Sequence, residues 1–132
     1  MIINLAYILF KKNMWILKTG IFLCGLSVII GAFGAHSLEN IIGDKIETFK
    51  TAVQYQIFHA IGLILVGLIA KTFRLELNTV AYLFLSGIIL FSGSLYLISV
   101  YKYSFLGIIT PIGGLCFIIG WAILLFKLNN EI

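Results

Sequence analysis

Four long apolar runs, residues 19–35, 52–70, 79–100 and 105–126, occupy most of the 132-residue chain, and nearly every charge falls between them. Each run is close to the ~20 residues that an α-helix needs to cross the ~30 Å hydrocarbon core of a bilayer. The pattern predicts an all-α integral membrane protein in which four transmembrane helices, roughly 14–35, 52–70, 79–100 and 105–126, form one antiparallel bundle spanning residues 1–132. The short connections 71–78 and 101–104 make successive helices antiparallel neighbours.

The segments outside the runs refine this plan. Residues 1–10 are nearly all apolar but too short to span, and Lys11 and Lys12 follow them, which predicts a short N-terminal interfacial segment. Trp15 anchors the first helix at the interface and Lys18 snorkels to the headgroups. The lysines before a run ending in small residues imitate a secretory signal. That run exceeds the usual 7–15-residue apolar region, so the first helix is expected to stay uncleaved. Between the first two runs, Leu38, Ile41, Ile42, Ile46 and Phe49 recur at spacings of three and four. This predicts an amphipathic segment on the membrane surface, broken near Gly43, with Asp44 capping the turn into the second helix.

Composition decides the solvent. The chain is 61% apolar and 11% charged, with a mean hydropathy of +1.13, whereas soluble domains are about 45–50% apolar and about 25% charged. Membrane lipid is therefore the first partner. The net charge of +4 comes from single or paired basic residues at run ends rather than a basic face, which argues against nucleic acid. Lys11, Lys12, Lys18, Lys71, Arg74 and Lys127 fall on one side, and Lys45, Lys50 and Lys102 on the other. The positive-inside rule then puts both termini in the cytoplasm. Cys24 and Cys116 lie within apolar runs and read as small packing residues, without metal-binding spacing.

The costliest residue is His59, deep in the second run. Thr48, Ala52, Tyr55, His59 and Gly62 share one helical stripe, with Gln54 and Gln56 beside it. Unpaired polar groups in hydrocarbon cost several kcal/mol each, so this face is expected to point into the bundle. Two readings stay open: a neutral histidine bonded between helices, which is preferred, and a proton, ligand or solute site. A third and weaker reading brings His36, His59 and Glu39 together as a metal site.

Small residues recur elsewhere. Ser27, Gly31 and Ala35 share a face of the first helix that would let another backbone approach. The third run carries Ser86, Gly87, Ser92, Gly93 and Ser94. At Thr110-Pro111, either Pro111 opens the fourth helix or that helix starts near Phe105 and kinks there. A kink would free the Gly107 carbonyl for Ser92, Ser94 or Tyr96 of the third helix. No nucleophile triad, zinc-protease motif, phosphate loop or other cofactor motif is visible, so no cofactor and no enzymatic activity are expected.

Four stretches carry a family resemblance. They are Gly31-Ala32-Phe33-Gly34-Ala35-His36, the segment 49–60 containing Gln54-Tyr55-Gln56 and His59, the segment 86–96 containing Ser92-Gly93-Ser94-Leu95-Tyr96, and Thr110-Pro111-Ile112-Gly113-Gly114. In this order they resemble the domain of unknown function 423 family, the YgdD-like small four-helix membrane proteins of bacteria with mitochondrial relatives. The apolar N-terminus departs from that pattern. The resemblance implies a multi-pass protein of the bacterial plasma (inner) membrane and brings no catalytic residues with it. It marks His36, Tyr55, Gln56, His59, Ser92, Ser94, Tyr96, Thr110 and Pro111 as motif positions. With Gln54 these form the candidate buried polar cluster. The favoured reading is a structural, accessory or assembly component acting through helix–helix contacts, as a homo-oligomer or within a larger membrane complex. The alternative is a small-solute or proton transporter or channel using the His59 face and a break at Pro111.

Overall fold

The computed structural model describes residue 8 and residues 13–131, so the expected interfacial segment 1–10 lies almost wholly outside the described residues. Helix α1 is Met14–His36. A short α2, Glu39–Ile42, follows and stops at Gly43, whose φ of 52° favours a residue without a Cβ. A 3₁₀ turn, Gly43–Lys45, leads into α3, Ile46–Phe73. The third span is α4, Asn78–Gly87, then a π turn, Ile88–Ser92, then α5, Gly93–Tyr101. A 3₁₀ segment, Ser104–Ile108, precedes α6, Thr110–Glu131. Met14–Gly34, Glu39–Phe73, Asn78–Tyr101 and Ser104–Asn130 are long and apolar enough to cross a membrane.

The second helix begins six residues before the expected position 52. Residues 46–51 carry charges, but Glu47 and Lys50 pair across one turn at 2.7 Å and the helix continues through them. Lys50 and Lys71 then bracket the apolar stretch, about 32 Å apart along the axis at 1.5 Å per residue. That length matches the hydrocarbon core. It also puts His59 at the middle of the helix, about 20 Å from Ile46.

α1 packs on α3, α3 on the third span, and the third span on α6, while α1 and α6 share no packed interface. The apolar core, including Ile16, Leu63, Val66, Leu77, Val80, Phe84 and Leu124, gathers toward one end. At that end the Trp15 indole N–H donates to Asn78 Oδ1 at 3.1 Å, and Lys127 Nζ donates to the Glu76 carbonyl at 2.7 Å. The start of α1, the α3–α4 loop and the end of α6 therefore lie together, as alternating spans require. At the opposite end Lys102 Nζ donates to the Ile42 carbonyl and to Asp44 Oδ1, the latter at 3.1 Å. Asp44 makes no helix cap, contrary to the expectation; its carboxylate is held by Lys102 instead.

Gly31 of the expected small-residue face lies against α3, where a Cβ would sit 3.4 Å from Val53 Cγ1, and the closer backbone approaches fall at other glycines. A Cβ on Gly20 would lie 2.8 Å from the Ala60 carbonyl oxygen, and one on Gly113 would lie 2.4 Å from the Phe91 backbone nitrogen. These two glycines seat α1 on α3 and α6 on the π turn. Ser27 is buried, but it bonds its own helix at the Leu23 and Cys24 carbonyls. Large apolar side chains such as Phe22, Ile89, Ile118 and Phe126 cover the outside, as a lipid solvent requires.

Candidate functional site

His59 faces inward from the middle of α3 and is 6% exposed. Its Nδ1 lies 2.9 Å from the Tyr55 carbonyl, which can only accept, so Nδ1 carries the proton. Nε2 is then an acceptor, and the Trp121 indole N–H donates to it at 3.1 Å from α6. The ring stacks on Phe117 at 3.4 Å between centroids, and Phe84 meets it edge-on at 5.3 Å. The imidazole is thus neutral, bonded at both nitrogens and boxed by aromatic rings. An imidazolium would turn a second N–H toward the Trp121 N–H.

One turn away on the same buried side, Gln56 joins three helices. Its Oε1 accepts from the Tyr96 hydroxyl of α5 at 2.7 Å, and its Nε2 donates to the Leu23 carbonyl of α1 at 3.2 Å. Between α5 and α6, the Ser94 and Thr110 hydroxyls meet at 2.7 Å, and Ser94 donates to the Phe91 carbonyl. Thr110, rather than the Gly107 carbonyl, is what the serine face reaches. Ser92 is fully buried in the π turn and, among the described residues, its hydroxyl has no partner.

The ten candidate residues therefore do not form one buried cluster. Gln56, His59, Ser92 and Ser94 are buried, and Tyr96 and Thr110 half-buried. His36, Gln54 and Pro111 are exposed, and Tyr55 is 39% exposed. Gln54 and Gln56 are separated by about 200° around the helix, so only one of them can face inward. Pro111 falls in the first turn of α6, where a missing N–H costs nothing, so the fourth helix opens at this proline instead of kinking there. His36 and Glu39 are exposed at the end of α1 and in α2, away from the interior position of His59. Among the described residues no three His, Cys, Asp or Glu side chains stand together as a metal-ligating group.

Trp121, Phe117 and Phe84 complete the histidine's surroundings but carry no motif that marks them. A signal for Trp121 did exist. It lies six residues inside Lys127, beyond the interfacial belt, where an indole N–H needs an acceptor. His59's polar contacts are a backbone carbonyl and an indole, neither of them a nucleophile. Two grooves open on the outer face of α3. One of about 420 Å³ runs toward α6 past Tyr55, Gly62 and Trp121, and one of about 220 Å³ runs toward α1 past Gly31, Gly34 and Val53. Gln54 lines both.

Four alternating spans with interhelical polar bonds and a lipid-facing exterior define a small multi-pass helical membrane protein. A family model described as "Protein of unknown function (DUF423)" matches residues 30–114. The chain belongs to that family, as its four motif stretches indicate. The UPF0382 membrane protein YwdK of Bacillus subtilis is 48% identical over 99 residues, covering 73% of this chain and 80% of that protein. A UPF0382 membrane protein of Staphylococcus haemolyticus is 46% identical over 103 residues, covering 77% and 84%. One of Staphylococcus aureus is 43% identical over 101 residues, covering 76% and 83%. No solved structure matches.

Proposed function

We propose that this protein is an accessory or assembly subunit of the bacterial plasma membrane, not an enzyme, and that it works through its helix surfaces. The observation that carries the reading is where the inward polar groups are spent. His59–Trp121, Gln56–Tyr96, Gln56–Leu23 and Ser94–Thr110 all tie one helix to another. Such bonds hold a bundle in one shape, and the surfaces left to act are those facing lipid. The transporter alternative has less behind it, because Pro111 opens a helix and both His59 nitrogens are engaged.

The reading includes an orientation with both termini cytoplasmic, supported by Lys18, Lys71, Arg74 and Lys127 at the end shared by the start of α1 and the end of α6. Gentle purification followed by native mass spectrometry tests the function. The protein is expected as an oligomer or within a larger assembly. Recovery as free monomer in several mild detergents, or solute flux in reconstituted vesicles that is lost in His59→Ala, would overturn it.

A further inference from the structure

We propose that the outer face of α3 is the contact surface for a second copy of this chain, in a parallel two-fold dimer centred on Gln54. The proposal rests on the reading of the protein as an interaction subunit and names the partner and the face. Gln54, Phe58, Ile61, Leu65, Leu68 and Thr72 are all exposed. Their spacing of 4, 3, 4, 3, 4 is the 3.5-residue period that keeps a straight seam against a partner helix. On α3 this seam lies between α1 and the α6 side, with a groove on each flank of Gln54.

An apolar seam alone would be satisfied by lipid; Gln54 would not. Among the described residues its amide makes no hydrogen bond, and it sits about 6 Å below Lys50 along the helix, inside the apolar stretch. Acyl chains offer it neither donor nor acceptor, and an unpaired polar group there costs several kcal/mol. A primary amide carries both an acceptor oxygen and N–H donors. Two copies related by a two-fold axis therefore satisfy each other, Oε1 of one accepting from Nε2 of the other. Both copies cross the membrane in the same sense, so α3 pairs in parallel and each seam residue meets its own counterpart. The larger groove, which Phe58 itself lines, runs past its level and leaves space for the exposed ring at position 58 of the second copy.

Two measurements on the full chain in phospholipid vesicles test this. Energy transfer between donor- and acceptor-labelled copies, followed against protein-to-lipid ratio, gives the dimer dissociation constant. Gln54→Leu is expected to weaken the dimer about 5- to 30-fold, and Gln54→Asn to retain most of it. Both side chains face outward, and an unchanged circular dichroism melt verifies the fold. In a Cys24→Ser/Cys116→Ser background, oxidation should cross-link Ile61→Cys and Leu65→Cys, while Phe22→Cys on α1 and Ile118→Cys on α6 stay monomeric. A monomer at every ratio, a dissociation constant indifferent to Gln54→Leu, or faster cross-linking at Phe22→Cys or Ile118→Cys overturns the proposal. The last outcome would sink the α3 seam yet leave the interaction-subunit reading standing. Flux through vesicles would sink that reading and leave the seam to be judged by its cross-links.

Discussion

Replacing Trp121 by phenylalanine removes one N–H and keeps an aromatic ring beside Phe84, now 4.7 Å away. The consequence falls on His59, whose Nε2 loses its donor. The imidazole cannot turn to find another without giving up its bond to the Tyr55 carbonyl at 2.9 Å. Interhelical hydrogen bonds within membranes average about 0.6 kcal/mol and reach about 1.7. The smaller ring adds little, because Trp121 is 41% exposed and lipid replaces its lost contacts nearly as well as protein does. Trp121→Phe should therefore destabilise the protein by about 1–2 kcal/mol. His59→Phe removes both ring nitrogens and keeps an aromatic stack on Phe117. In the double mutant the lost bond is counted once, so the cycle should return a coupling of about 0.6–1.7 kcal/mol. Equilibrium unfolding in mixed micelles of rising dodecyl sulfate fraction, followed by far-UV circular dichroism, measures all four proteins. Additivity within about 0.3 kcal/mol would refute the claim that this bond holds α3 to α6.

Gly113→Ala should cost about 1–3 kcal/mol in the same assay, since its Cβ would strike the Phe91 backbone, whereas Gly25→Ala, with open space around it, should be neutral or stabilising by up to about 1 kcal/mol. Tyr96→Phe should lose about 0.6–1.7 kcal/mol by stripping Gln56 Oε1 of its donor; no change would mean that the three-helix junction carries no load. Lys102→Ala should speed hydrogen exchange in residues 38–46 while leaving the global unfolding midpoint nearly unmoved, because it releases only the Ile42 carbonyl and Asp44. For orientation, Arg74→Cys should react with an impermeant thiol reagent only after the cytoplasmic side is opened, and Lys45→Cys in intact cells; the reverse would invert the assignment.

The spans were legible because hydropathy and helix length are tied by the thickness of the bilayer. The start of α3 was not, since a charged amphipathic stretch reads the same whether it lies on the surface or extends a helix. Polarity identified His59 and Gln56 as costly, yet only geometry separates Gln56, tied to α1 and α5, from Gln54, exposed on the outer face two residues earlier. The partners Trp121 and Leu23 lie on other helices, and a carbonyl partner such as Leu23's leaves no trace in side-chain identity. The π turn was equally hidden, because nothing in Ile88-Ile89-Leu90-Phe91-Ser92 distinguishes it from an ordinary helical turn.

That π turn, closed where the Gly93 N–H reaches back five residues to the Ile88 carbonyl, amounts to one residue more than an α-helix would use. It works as a phase shifter. At about 100° per residue, winding 88–92 as ordinary α-helix with every residue kept would swing α5 by more than a quarter turn relative to α4. Tyr96 would then leave Gln56, and Ser94 would leave Thr110. A relative one residue shorter at this place can close an ordinary α turn and keep both bonds in phase. The extra residue and the π turn therefore come and go together, and the pairing of the third span with its neighbours survives either length.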